Sequence, residues 1–171
     1  APSAAVKDPG NAAVVADLEQ VLLATRPQVV YTHNLADKHD THVAVALKAL
    51  KALRRLPAEL RPAAVYGCEV WRGLDLLLDT EKVAFDCSAR ESLQMALLGV
   101  FDSQICGGKR YDLATMGRRR ANATYYASHA TDTTTGMVFA MDLTPLVAEP
   151  TLDIASYVQD FMTRFAEDVR Q

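Results

Sequence analysis

The stretch Gln28-Val-Val-Tyr31-Thr-His33-Asn34-Leu-Ala-Asp37-Lys38-His39-Asp40-Thr41-His42 decides how the rest of this chain is read. Its first part, Gln28 to His33, is short, apolar and β-favouring, which predicts a buried strand. Its second part gathers three of the chain's four histidines with Asp37 and Asp40. An alanine- and leucine-rich helix is expected next, roughly His42 to Leu56, with Asp40 or Thr41 able to cap it. A strand that hands over to a helix through a polar loop marks the edge where open α/β sheets bind ligands.

Working outward, Asn11 is placed to cap a helix from Ala12 to Ala24, with Val14, Val15, Leu18, Val21 and Leu22 facing inward. In the helix after the histidines, Val43, Leu47, Leu50 and Leu53 recur at helical spacing, while Lys48, Lys51 and Arg55 are expected to reach water. Strands follow at Ala63 to Val70 and Lys82 to Cys87. Ser88 with Glu91 resembles a capping box for a helix running to Ile105, which Gly107-Gly108 ends. A helix over Leu113 to Ser128 comes next, then a strand over Met137 to Leu143. The last helix opens at Thr151-Leu-Asp153 and carries Ile154, Tyr157, Val158, Phe161, Phe165 and Val169 as an apolar stripe. This alternation predicts one α/β domain over residues 1–171 with a largely parallel sheet.

Composition agrees with a globular α/β chain. Half of the 171 residues are apolar and 23% are charged, with a formal charge of −3. That balance argues against nucleic acid as a partner, which needs a basic face. Arg118-Arg119-Arg120 is read as a solvated helix face. Cys68, Cys87 and Cys106 are too far apart for a zinc pair or disulfide framework, so a reducing cytoplasm is expected. No apolar run is long enough to span a membrane.

His39 and His42 are three residues apart at the start of a helix, a spacing that can turn both rings toward one hollow. A helix N-terminus disfavours added positive charge, and neutral imidazole is the form that Zn²⁺ takes. A second histidine nearby can donate a hydrogen bond to a developing oxyanion or a proton to a leaving amine. Asp37 and Asp40 are close enough in sequence to orient an imidazole through its other nitrogen. His33 fits either the site or the buried end of the strand.

The two segments Pro27-Gln-Val-Val-Tyr-Thr-His33 and Asp37-Lys-His-Asp-Thr-His42 together resemble the second signature of the LmbE-like, or PIG-L, family of zinc-dependent N-deacetylases. The order of elements is similar to the C-terminal two thirds of such a domain. The resemblance implies a Rossmann-like three-layer fold that lacks its first strand or strands here. It implies hydrolysis of an N-acetyl group on an amino sugar or related small conjugate, with one Zn²⁺. His42 looks like a metal ligand, and His39 like the pocket histidine that assists as acid or oxyanion stabiliser. Homo-oligomers, trimers or hexamers, are also implied. Two departures stand out. Thr41 replaces the aspartate that the family places before its ligand histidine, moving the acid to Asp40. The first signature, Ala-His-Pro-Asp-Asp-Glu, is absent, so the other ligands and the general base are expected from a missing N-terminal segment or a second chain.

Glu69, Trp71 and Arg72 fall at a strand end, where a substrate can meet a carboxylate, a flat ring and a guanidinium. Arg72 suits a carboxylate or phosphate, and Trp71 suits a sugar ring. A rim salt bridge and a packed indole explain the same residues without a ligand. His129 is left without a role. Two other functions fit the sequence: a non-catalytic α/β binding or assembly domain with a degenerate pocket, and a thiol hydrolase pairing Cys68 with His39.

Overall fold

The computed structural model describes all 171 residues. Along the chain run α1 (Ser3–Lys7), α2 (Ala12–Thr25), β1 (Val29–His33), α3 (Asp40–Arg55), β2 (Ala64–Cys68), β3 (Lys82–Asp86), α4 (Glu91–Gly99), α5 (Asp102–Ile105), α6 (Tyr111–Tyr125), β4 (Met137–Asp142), α7 (Thr144–Ala148) and α8 (Ile154–Asp168). The α/β class expected from the sequence is what forms. The sheet, in the order β1-β2-β4-β3, is mixed rather than largely parallel. β1 and β2 are parallel, while β4 runs antiparallel to β2. Alternation of helices and strands fixes what separates the strands. It does not fix the end from which a strand enters the sheet once the connection is long.

By compactness the chain forms two units, Ala1–Val83 with Ala140–Gln171, and Ala84–Phe139. In the first unit, Asn11 caps α2 as its position predicts, accepting from the amides of Ala13 and Val14. Arg26 ends that helix in the left-handed region at φ 45°. α2 buries Val15 and packs on α3, which buries Ala46, Leu50 and Leu53. Val21 and Leu47, both expected inside, are exposed.

Lys48 departs furthest from its expectation. It is buried, and its ammonium donates to the carbonyls of Asp8 at 2.7 Å and Asn11 at 2.8 Å. A buried ammonium is tolerable when oxygens replace its water, and the turn before α2 supplies them. On the other side, Val65, Met141, Leu143, Leu146 and Val147 complete the core. Each fully buried aliphatic side chain contributes about 1.5–3 kcal/mol. α8 is capped by Asp153, buries Phe161 and ends at Asp168, so Val169 falls off the predicted stripe and is exposed.

In the second unit the predicted capping box does not form. The amide and hydroxyl of Ser88 both turn back to the Asp86 carboxylate, Arg90 takes the cap position, and the helix breaks into α4 and α5. The predicted solvated face is only partly so. Arg119 is half-buried and donates to Gln94 Oε1 at 2.6 Å, while Arg120 pairs with Glu91. No helix is long and apolar enough to cross a membrane.

Candidate functional site

β1 and β2 lie in register, Val29 opposite Ala64 and His33 opposite Cys68. Gly67 of β2 makes the strand end possible. A Cβ there would stand 2.9 Å from Asn34 Cα and 2.9 Å from Leu143 Cδ1. Asn34 fills the space so created and is fully buried. Its amide and its Nδ2 both donate to the Cys68 carbonyl at 3.1 Å, and its Oδ1 accepts from Ala36. The chain thus leaves the sheet through a pinned turn, and the histidine loop starts from a fixed point.

Asp37 is the centre of that loop. Its side chain is buried, yet it faces three donors: the His39 amide at 3.0 Å, the Trp71 amide at 3.1 Å and His42 Nδ1 at 3.5 Å. Burial pushes the Asp37 carboxyl up, but the His39 and Trp71 amides and His42 outweigh it and hold the group below the usual carboxylate range. Asp37 therefore accepts the His39 amide ahead of α3, while the His39 side chain at the cap position caps nothing. Asp40, by contrast, is exposed at the helix tip and pairs with Lys7 at 3.0 Å. Its Oδ1 stands 3.6 Å from His39 Nδ1, beyond a hydrogen bond, and that nitrogen is buried without a partner.

The three imidazoles form a column. His33 and His42 stack with centroids 3.9 Å apart and planes within 5°. His39 stacks on the other face of the grouping, 4.5 Å from His42 at 20°. Trp71 closes the end, 5.7 Å from His39, with the Lys38 ammonium 5.5 Å over its ring. Two imidazolium charges about 4 Å apart would repel by roughly 4 kcal/mol at an effective dielectric of ~20. Burial first, then His42, pushes His33 below the ordinary histidine range, with Asp37 opposing.

Of the residues singled out in the sequence, the structure brings His33, Asp37, His39, His42 and Trp71 into one cluster. Glu69 is buried, with its Oε2 3.7 Å from where a Gly73 Cβ would stand, and Arg72 is exposed. His129 is exposed in the second unit. Asn34 and Gly67 went unremarked in the sequence because their roles are set across the sheet. The only signal was an Asn directly after the strand.

Metal ligation is the sharpest question for such a cluster. Imidazole binds through its in-plane lone pair at about 2.0–2.1 Å. Two nearly parallel stacked rings cannot both direct such a pair at one ion. No group of three or more His, Cys, Asp and Glu side chains is arranged to hold a metal. By themselves, these residues do not fit a tetrahedral zinc set. One nitrogen is nonetheless prepared. With His42 Nδ1 facing Asp37, Nε2 is the atom left for a ligand, the usual carboxylate-histidine arrangement behind a metal or a proton transfer.

No family model, curated protein or solved structure matches this chain. The functional reading therefore rests on the residues of the cluster.

Proposed function

We propose that the chain carries the histidine half of an amide-hydrolysing site, acting on an N-acyl amino sugar or related small conjugate. The reading follows the likeness of the histidine loop to the LmbE-like deacetylases, and with it a Rossmann-like domain completed by strands from elsewhere. One observation carries it: the buried Asp37 carboxylate faces His42 Nδ1, which leaves Nε2 as the ring nitrogen for a ligand. In this reading His42 would be one zinc ligand, and a further segment or second chain would supply the remaining ligands and the general base. Zinc, when bound, polarises a carbonyl and lowers the pKa of water. His39 would donate a hydrogen bond to a developing oxyanion or a proton to a departing amine. Asp37 keeps the His42 ring in one orientation.

The test is acetate release from an N-acetylglucosaminyl conjugate in the presence of Zn²⁺. The chain alone is expected to be inactive, and activity to appear on co-expression with a partner carrying a His-Pro-Asp-Asp segment. In that pair, His42→Ala abolishes turnover and His39→Ala lowers kcat by about 10²–10⁴-fold. No activity in the pair, or full activity in His42→Ala, overturns the reading. Tight, stoichiometric Zn²⁺ binding by the chain alone would contradict its need for outside ligands.

The absence of a three-ligand group favours a second reading, a non-catalytic binding domain that keeps the cluster as a pocket wall. An inactive pair together with retained binding of the conjugate is its signature.

A further inference from the structure

In the second unit, α4 wears its apolar side outward. A surface helix ordinarily turns its apolar stripe to the core and its polar face to water. The half-buried positions of α4 are instead Gln94 and Leu98, and Gln94 is held by polar bonds. Its Oε1 accepts from Arg119 of α6, and its Nε2 donates to the Cys87 carbonyl. Leu93, Leu97 and Val100 recur at i, i+4 and i+7 and are exposed, Leu97 by 58% and Val100 by 73%. Phe101, 64% exposed, extends the stripe beyond the helix. From Ser92 to Phe101 no residue is charged, so nothing along this face repays contact with water.

Leu93, Leu97, Val100 and Phe101 together leave on the order of 400 Å² of apolar surface in water, the size at which a patch on a soluble protein signals an interface. A standard interface buries about 800 Å² per partner, roughly 60% of it apolar. The stripe supplies most of that apolar share.

Charge chooses the occupant. Glu91–Gly99 holds no lysine or arginine, so α4 lacks the basic polar face with which amphipathic helices lie on lipid. The ends of the stripe carry opposite signs: exposed Arg90 precedes it and exposed Asp102 follows it. Glu91 is already paired with Arg120. A second copy laid parallel would bring like charges together. Turned end for end, it sets Arg90 of each copy toward Asp102 of the other and opposes the two helix dipoles. The surface is thus self-complementary about a two-fold axis, as an isologous contact requires.

We infer that α4 forms the two-fold interface of a homodimer, its stripe of Leu93, Leu97 and Val100 packed antiparallel on the same stripe of a second copy. The inference does not depend on the hydrolase reading.

Sedimentation velocity of the full chain over a range of micromolar concentrations tests it. A species of twice the 18.7 kDa chain mass is expected. Leu97→Glu should weaken self-association about tenfold or more, because it buries a carboxylate in the contact. Leu97 is exposed in the single chain, so the circular dichroism of the variant should match that of the parent. Arg90→Asp and Asp102→Arg should each weaken the dimer several-fold, and the two together should restore it, a recovery that no folding defect imitates. Where dilution separates the copies, α4 amides exchange quickly, and raising the concentration should slow them. A chain monomeric at every concentration overturns the inference. So does a dimer indifferent to Leu97→Glu, a charge-swapped pair that fails to recover, or binding of α4 to lipid vesicles in place of self-association.

Discussion

Asp37 does at one position what the sequence divided between two. Both aspartates of the loop are expected to orient an imidazole, but only Asp37 has the burial and the reach. Its carboxylate ties the amide at the head of α3, the amide of Trp71 and the His42 ring together. Asparagine offers one acceptor oxygen and a donor in place of two acceptors. Asp37→Asn should therefore destabilise the fold by about 1–3 kcal/mol in urea melts. It should also take one acceptor away from His42 Nδ1, seen as a change in the ¹⁵N shifts of that ring. Because the folded carboxyl titrates below its unfolded value, its contribution is full above about pH 4 and is lost as pH falls through the lower folded value. The variant's acid limb should be flatter. His33, His39 and His42 were legible as a group because one short loop carries them. Asn34 and Gly67 were not, since a strand distant in sequence sets the space they fill.

At the scale of elements, local chemistry was the readable part. Asn11 and Asp153 cap α2 and α8 where the sequence puts them, because a cap answers only to amides two or three residues on. Lys48 and Ser88 depart from their sequence expectations for the opposite reason. The carbonyls that draw Lys48 inward belong to the turn before α2, and Ser88 prefers its own upstream Asp86. α8 is joined to β4 through Tyr157, whose hydroxyl donates to the Asp142 carbonyl at 2.7 Å and whose ring meets Phe161 edge-on. Burial first, then Asp142, pushes the Tyr157 phenol up to about 12. The unfolded chain ionises near pH 10, so this contribution holds below that value and disappears as pH rises toward 12. Alkaline titration at 295 nm should show one phenol of the six titrating last, and Tyr157→Phe should remove it. Equal ionisation of all the phenols near pH 10 would contradict the buried hydroxyl.

At the scale of the molecule, the α/β class was visible in the alternation of periodic segments, while strand direction was hidden in the long connection through α4, α5 and α6. The two units also differ in what they bury. Within α3 alone, Ala46, Leu50, Ala52 and Leu53 are fully buried, whereas α4 and α5 bury no side chain. Helices without buried apolar contacts open at low free energy. Hydrogen exchange should accordingly protect Ala46 to Leu53 orders of magnitude more than Glu91 to Ile105. Comparable protection in both segments would count against so thinly packed an α4.

α1 lies against the tip of α3, where the Ser3 and Thr41 hydroxyls meet at 2.9 Å and Lys7 reaches Asp40, yet it shelters no side chain of its own. Exposed contacts of this kind add little to stability and weaken as salt screens them. α1 is fastened to α3 by charge and dipole, with only Ala5 and Val6 half-buried beneath it. Brine, more than warmth, sets how firmly it stays down.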